Sequence, residues 1–333
     1  MSWFLKKIDV SHGSHEPMYA MEGLRGVAVF LVFCVHYCSL VDPWINDASF
    51  SWLTKEFIFS FGHIGVDLFF VLSGYLIYGM LIKRKSTRFF VYFKRRAVRI
   101  YPTFLFVFLI YIVLSFVFTS ESKIPSGYLN AATYILQNIL FLPGIFDIKP
   151  VITVAWSLSY EVLYYLLIPL VISVLQLRKW RSSSRIYFWL IVSLIGFYLF
   201  YIFPGPVRLL MFISGIILFE CHNFQRVRAF RNIGSVSLIL SFILFGAKEY
   251  LQIDYVFFIM SLYILFFTLC LDAFKHDSVT SRWLSFDPLR WLGNMSYSYY
   301  LIHGLTLKFI FLIIGLMIPA AHQSSILFYW LWL

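Results

Sequence analysis

The chain has 333 residues, of which 61% are hydrophobic, 21% aromatic and only 13% charged, against about 25% charged in an ordinary soluble domain. A water-soluble fold of this length could not hide so much apolar surface, and hydrophobicity this high is the opposite of the disorder signature. Both classes are excluded: the composition is that of an all-α polytopic membrane protein, its net charge of +11 gathered in short connections as topogenic charge rather than in a nucleic-acid patch.

Residues 1–22 are polar and carry Lys6, Lys7, Asp9, His12, His15, Glu16 and Glu22. With no short apolar core before a small-residue cleavage site, they read as a cytoplasmic N-terminal tail, not a signal peptide. Residues 23–333 then form one transmembrane domain. Runs of roughly 17–25 mostly apolar residues can cross a bilayer, and they are predicted near 23–41, 57–82, 101–118, 156–177, 186–203, 206–221, 233–247, 253–271 and 295–318. A further run begins at Ser324 and stops at Leu333, ~15 Å as a helix. The expectation is about ten transmembrane helices, nine complete and a last one truncated or lying in the interface.

Charge bias orients them. The connection 83–99 holds Lys83, Arg84, Lys85, Arg88, Lys94, Arg95, Arg96 and Arg99 with no acid, so it is expected in the cytoplasm. Connections 178–185 and 222–232 are basic too, while 42–56 carries Asp42, Asp47 and Glu56 against Lys55 alone and suits the outside. Parity then keeps all of 119–155 on the outer side, although 128–142 (YLNAATYILQNILFL) is apolar. A re-entrant or interfacial element is predicted there, lining an outer cavity, because non-helical backbone at membrane depth must be covered. The cysteines (Cys34, Cys38, Cys221, Cys270) lie in or beside apolar runs without metal-site or disulfide spacing, and no metal site is expected.

An ionisable group at the centre of a span costs roughly 2.5–3.5 kcal/mol on insertion scales, so each one asks for a reason. In EGLRGVAVFLVFCVHYCSL, Arg25 and His36 are eleven residues apart, which leaves them ~20° apart on one helical face and ~16 Å apart along the axis. The ordinary account is an anchoring arginine and a packed histidine. GHIGVDLFFVLSGYLI brings His63 and Asp67, with Gly62 and Gly65 allowing close helix approach or a local break; a structural Asp67 paired with an Arg or His is the plain alternative. In KRRAVRIYP, Arg96 and Arg99 share a helical face that suits phosphate, or they serve topology and anionic lipid. In WSLSYEVLYYLLIP, Glu161 either interacts with the helix dipole beside the capping Ser157 or Ser159, or takes up a proton or a partner. NMSYSYYLIHG places His303 below Tyr299 and Tyr300.

Together these five runs resemble the acyltransferase-3 family of integral membrane O-acyltransferases, which modify bacterial surface polysaccharides among other acceptors. The resemblance runs from Glu22 to His303 with the motifs in the family's order. Arg-x10-His is Arg25 and His36, the GVDLFFVLSG run is 65–74, and Arg-x-x-Arg is Arg96 and Arg99. The Trp-Ser-Leu-Ser-x-Glu run is 156–161 and the Ser-Tyr-Ser-x-Tyr-Leu-x-His run is 296–303. It implies about ten helices in a bacterial inner membrane, cytoplasmic acetyl-CoA or another acyl-CoA as donor substrate with no permanently bound cofactor, and a polysaccharide or lipid-linked sugar acceptor on the far side. On this basis Arg25, Arg96 and Arg99 are the expected donor-binding residues. His36 is the expected general base, with Asp67 or Glu161 orienting it. His63, Ser157, Tyr299 and His303 are further substrate-binding candidates. A proton-coupled transporter or flippase is the rival class, since buried Arg, His and Asp also build substrate paths.

Overall fold

The computed structural model describes residues 18–45, 49–84, 88–119, 122–223, 232–275 and 278–317. Among these the secondary structure is helical, without a named strand. The helices are α1 (Tyr19–Val41), α2 (Phe50–Gly62), α3 (Ile64–Ile82), α4 (Phe89–Val117), α5 (Tyr128–Ile139), α6 (Trp156–Val174), α7 (Ser182–Ile202), α8 (Met211–Asn223), α9 (Ile233–Tyr250), α10 (Tyr255–Ala273), α11 (Val279–Leu284), α12 (Asp287–Asn294) and α13 (Ser296–Met317).

The predicted apolar runs coincide with helix among the described residues. Among the described residues, seven segments are long and apolar enough to cross a membrane: Tyr19–Trp44, Phe50–Ile82, Phe89–Val117, Thr153–Val174, Ser182–Ile202, Tyr255–Ala273 and Ser296–Met317. The runs 206–221 and 233–247 fall short of that length. Pro204 and Pro206 keep the chain ahead of Val207 out of α-helix, Val207–Leu210 form a 3-10 turn, and α8 itself has 13 residues, ~20 Å. The apolar part of α9 stops at Lys248. The run at 324–333, and all but the last five residues of the 1–22 tail, lie outside the described residues.

The chain forms two compact units, one of residues 1–76, 181–299 and 305–333, the other of 77–180 and 300–304. The two halves of the 57–82 run are separate helices with a turn at His63, the break that Gly62 and Gly65 foreshadow. α3 and α8 touch backbone to backbone: a Cβ on Gly74 would lie 2.0 Å from the Phe212 carbonyl oxygen, and one on Gly215 1.9 Å from that of Val71. Only glycine permits this approach. The far end of α1 is held by a cluster of Tyr37, Cys38, Val41, Trp44 and Ile45 against Leu307, Phe311 and Ile314.

The second unit corrects the reading of 83–99 as a loop. Helix α4 starts at Phe89, so Lys94, Arg95, Arg96 and Arg99 ride on its first turns, and its 29 residues extend ~43 Å, beyond the ~30 Å hydrocarbon core. The apolar 128–142 stretch forms the 12-residue α5, ~18 Å long and too short to cross. Its C-terminal end is covered by protein. The Tyr101 hydroxyl donates to the Ile139 carbonyl at 3.1 Å, and the Phe141 ring sits 4.4 Å from that of Phe104. Asn138 is buried, donating to the Tyr134 carbonyl and accepting from the Val151 amide. Residues 139–141 thus lie beside 101–104, ~20 Å short of the α4 terminus at Val117.

Candidate functional site

In the first unit α1 is continuous helix, so Arg25 and His36 keep the shared face expected of them. Both are half-buried. The Arg25 guanidinium donates from Nη2 to Ser296 Oγ at 3.0 Å, at the N-terminal end of α13. One turn before His36, the Phe33 ring lies 6.0 Å from that of Tyr299. The histidine end of the seam is therefore aromatic and the arginine end polar.

Asp67 is fully buried, and its counter-ion is Arg208, whose Nη1 lies 3.6 Å from Oδ2. The same guanidinium donates to the His63 carbonyl at 3.2 Å and to the Tyr255 hydroxyl at 2.8 Å. The His63 ring turns back on its own helix, Nδ1 lying 2.7 Å from the Phe59 carbonyl. A carbonyl only accepts, so Nδ1 carries the proton and Nε2 is the basic nitrogen of the neutral ring. The pairing alternative for Asp67 is thus met by an arginine that the five motifs do not contain.

The second unit brings together two residues that the sequence alone assigns to opposite sides. Tyr165 donates its hydroxyl to Glu161 Oε1. The Arg96 guanidinium lies over the Tyr165 ring at 5.2 Å and the Tyr92 ring at 5.7 Å, within cation–π range. Arg96 also donates to Met80 Sδ at 3.0 Å. Arg96 and Glu161 therefore flank one tyrosine. Arg96 is ~10 Å along α4, and Tyr165 is one turn beyond Glu161 on α6. Arg99, on the next turn, is exposed. Nearby, Ser157 Oγ and Tyr300 hydroxyl are 2.7 Å apart, and both reach the Val154 carbonyl at 3.1 Å. His303 is buried with its ring 6.0 Å from that of Tyr300. Ser157 ties α6 to the 300–304 turn; it is not the N-terminal cap.

Five motifs in order now have a helical frame, with the Arg25–His36 seam on one helix. The family described as an acyltransferase domain matches residues 18–333. The chain belongs to the acyltransferase-3 family. It is similar to the peptidoglycan O-acetyltransferase OatA of Listeria monocytogenes serovar 1/2a, with 28% identity over 327 residues, 87% of this chain and 49% of the relative. It is equally similar to the O-acetyltransferase OatA of Staphylococcus aureus, at 28% identity over 87% of this chain and 51% of the relative. An uncharacterized protein of Haemophilus influenzae is 32% identical over 145 residues, 40% of this chain and 57% of that protein. The chain spans about half the length of the two OatA relatives. No solved structure matches it.

Several polar groups of this acyltransferase-3 chain escaped the sequence reading. Arg208 stands in the apolar run 206–221, and the cost rule applied to Asp67 would have flagged it. Glu220, at the end of that run, is buried against Arg185, whose Nη2 lies 3.0 Å away. Glu22 pairs with Arg290 at 3.0 Å. Partner identity across so many residues has no sequence signal in one chain. Among the described residues, no group of three or more His, Cys, Asp or Glu could hold a metal ion.

Proposed function

We propose that the chain transfers an acyl group, acetyl in the first instance, from cytoplasmic acetyl-CoA to a hydroxyl of a cell-surface carbohydrate. Family membership and relatives named as O-acetyltransferases support the class. The observation that carries the reading is the single helix presenting Arg25 and His36 on one face, with the arginine oriented by Ser296. A peptidoglycan glycan is the first acceptor to test, given the name of the Listeria relative, ahead of O-antigen or a lipid-linked sugar.

In this mechanism the Nε2 or Nδ1 lone pair of His36 takes the proton of the acceptor hydroxyl as its oxygen bonds to the thioester carbonyl carbon. Collapse breaks the C–S bond, and the CoA thiolate leaves with the proton that the imidazolium returns. Arg25, Arg96 and Arg99 hold the donor. Glu161 is grouped with Arg96 through Tyr165 within the second unit, and Asp67 with Arg208 fixes the frame of the first. His63, Tyr299 and His303 line the path of the substrates. The protein sits in a bacterial inner membrane with a cytoplasmic N-terminus. α8 and α9 complete nine crossings with the seven long segments, the 324–333 run starts a tenth, and α5 re-enters from the outer side.

The test is purified protein in detergent with acetyl-CoA and soluble glycan fragments, read by thiol release and acceptor mass. His36→Gln should lose roughly 10²–10⁴-fold in transfer while CoA binding stays near normal, since Gln keeps similar size and hydrogen bonding but carries no proton. Near-wild-type transfer by this variant would overturn the base assignment. Glycan movement across vesicles without thiol release would instead favour a transporter.

A further inference from the structure

The start of α1 is gripped more closely than any other part of the seam. A Cβ on Gly23 would lie 1.7 Å from the Leu284 carbonyl oxygen and one on Gly26 2.0 Å from that of Leu289, while one on Gly293 would lie 1.8 Å from that of Glu22. Backbone therefore meets backbone along α11, α12 and the first two turns of α1, a contact that any side chain at these positions would forbid. Around it, Arg290 Nε lies 3.0 Å from Glu22 Oε2, its Nη1 2.7 Å from Asp287 Oδ1, and its guanidinium 3.7 Å over the Tyr19 ring. Only Met295 separates α12 from α13, so the clamp fixes where α13 begins. The first residue of α13 is Ser296, itself 1% exposed, and its hydroxyl oxygen receives the Arg25 guanidinium.

We propose that Ser296 is a positioning residue for the acyl-CoA donor: it sets the direction of the Arg25 guanidinium, and the Glu22–Arg290 clamp sets the position of Ser296. This rests on the assignment of Arg25 to the donor. An arginine has several rotatable bonds, and an anion gains from it only when the planar fork already points at the site. A buried hydroxyl fixed to a rigid helix start supplies that direction without neutralising the charge. A carboxylate there would compete with the donor's phosphates; a serine does not. The serine of the Ser-Tyr-Ser run and the arginine of the Arg-x10-His pair are thus one device, 271 residues apart in sequence.

The experiment uses the purified full chain, with acetyl-CoA affinity measured by calorimetry alongside steady-state kinetics. Ser296→Ala should raise the acetyl-CoA Kd and KM roughly tenfold, the scale of a hydrogen bond to a charged group, and leave kcat and the acceptor KM within about twofold. Ser296→Thr, which keeps the hydroxyl, should restore the donor KM. Glu22→Gln, which loosens the clamp one turn away, should shift the same constant by about threefold. An unchanged donor Kd in Ser296→Ala, beside a wild type that binds acetyl-CoA, overturns the role of Ser296 and leaves the acyltransfer reading standing. Loss of insertion in Ser296→Ala would make the residue structural and overturns the role too. A wild type that binds no acetyl-CoA overturns both.

Discussion

The two carboxylates of the site motifs live in different surroundings. Asp67 in the first unit has no solvent exposure and a cation, Arg208, 3.6 Å away. Glu161 in the second is half-buried, and a tyrosine stands between it and Arg96. In the first, charge meets charge directly, and removing one partner strands the other in an apolar interior. In the second, the arginine rests on aromatic faces and the carboxylate on a hydroxyl, so each charge keeps capacity for a ligand. The contrast predicts that changes at the Asp67 pair act mainly on stability and changes at Glu161 mainly on activity.

The sharpest break of that contrast is Arg208→Leu. Stranding Asp67 should cost about 3–5 kcal/mol, seen as a large fall in the detergent melting temperature, and adding Asp67→Asn should recover much of it. An unchanged melting temperature would show that the pair is not the structural tie described. Glu161→Gln comes next and in the opposite currency. Transfer should drop roughly 10- to 100-fold, the scale of losing an interaction with a charged group, while stability moves by no more than about 1 kcal/mol. A melting loss as large as that of Arg208→Leu would erase the difference between the two carboxylates.

Arg99→Ala should weaken acetyl-CoA binding by about tenfold without affecting stability, because Arg99 is exposed. Arg96→Ala should weaken binding and also lower the melting temperature, since it strips cations from the Tyr92 and Tyr165 faces at about 0.5–2 kcal/mol. Equal melting temperatures for the two variants would contradict the inward placement of Arg96. The smallest effect is expected of Tyr165→Phe. Losing one hydroxyl should cost about 1 kcal/mol in stability and a few-fold in donor KM. If the two carboxylates differ as described, it should leave the Asp67–Arg208 tie untouched.

Much of this was legible in the sequence for a definite physical reason. Hydrophobicity and charge bias are local quantities, so the apolar runs, the helical fold class and the short element at 128–142 all follow from stretches of contiguous residues. The Arg25–His36 face is also local, fixed by 3.6 residues per turn once α1 is helical. At 206–221 a 3-10 turn, Val207–Leu210, precedes the α-helix that begins at Met211, a change of helix type that hydropathy does not register. Contacts at long sequence separation belonged to the tertiary structure. Arg208 for Asp67, Arg290 for Glu22, and Arg96 beside Glu161 are pairings that depend on which helices lie side by side and at what height. No periodicity within one run encodes that height; for Glu22 and Arg290 it goes with the backbone approach at Gly23, Gly26 and Gly293. The sequence by itself determined which stretches form apolar helix and which faces carry charge; packing decided which charges meet.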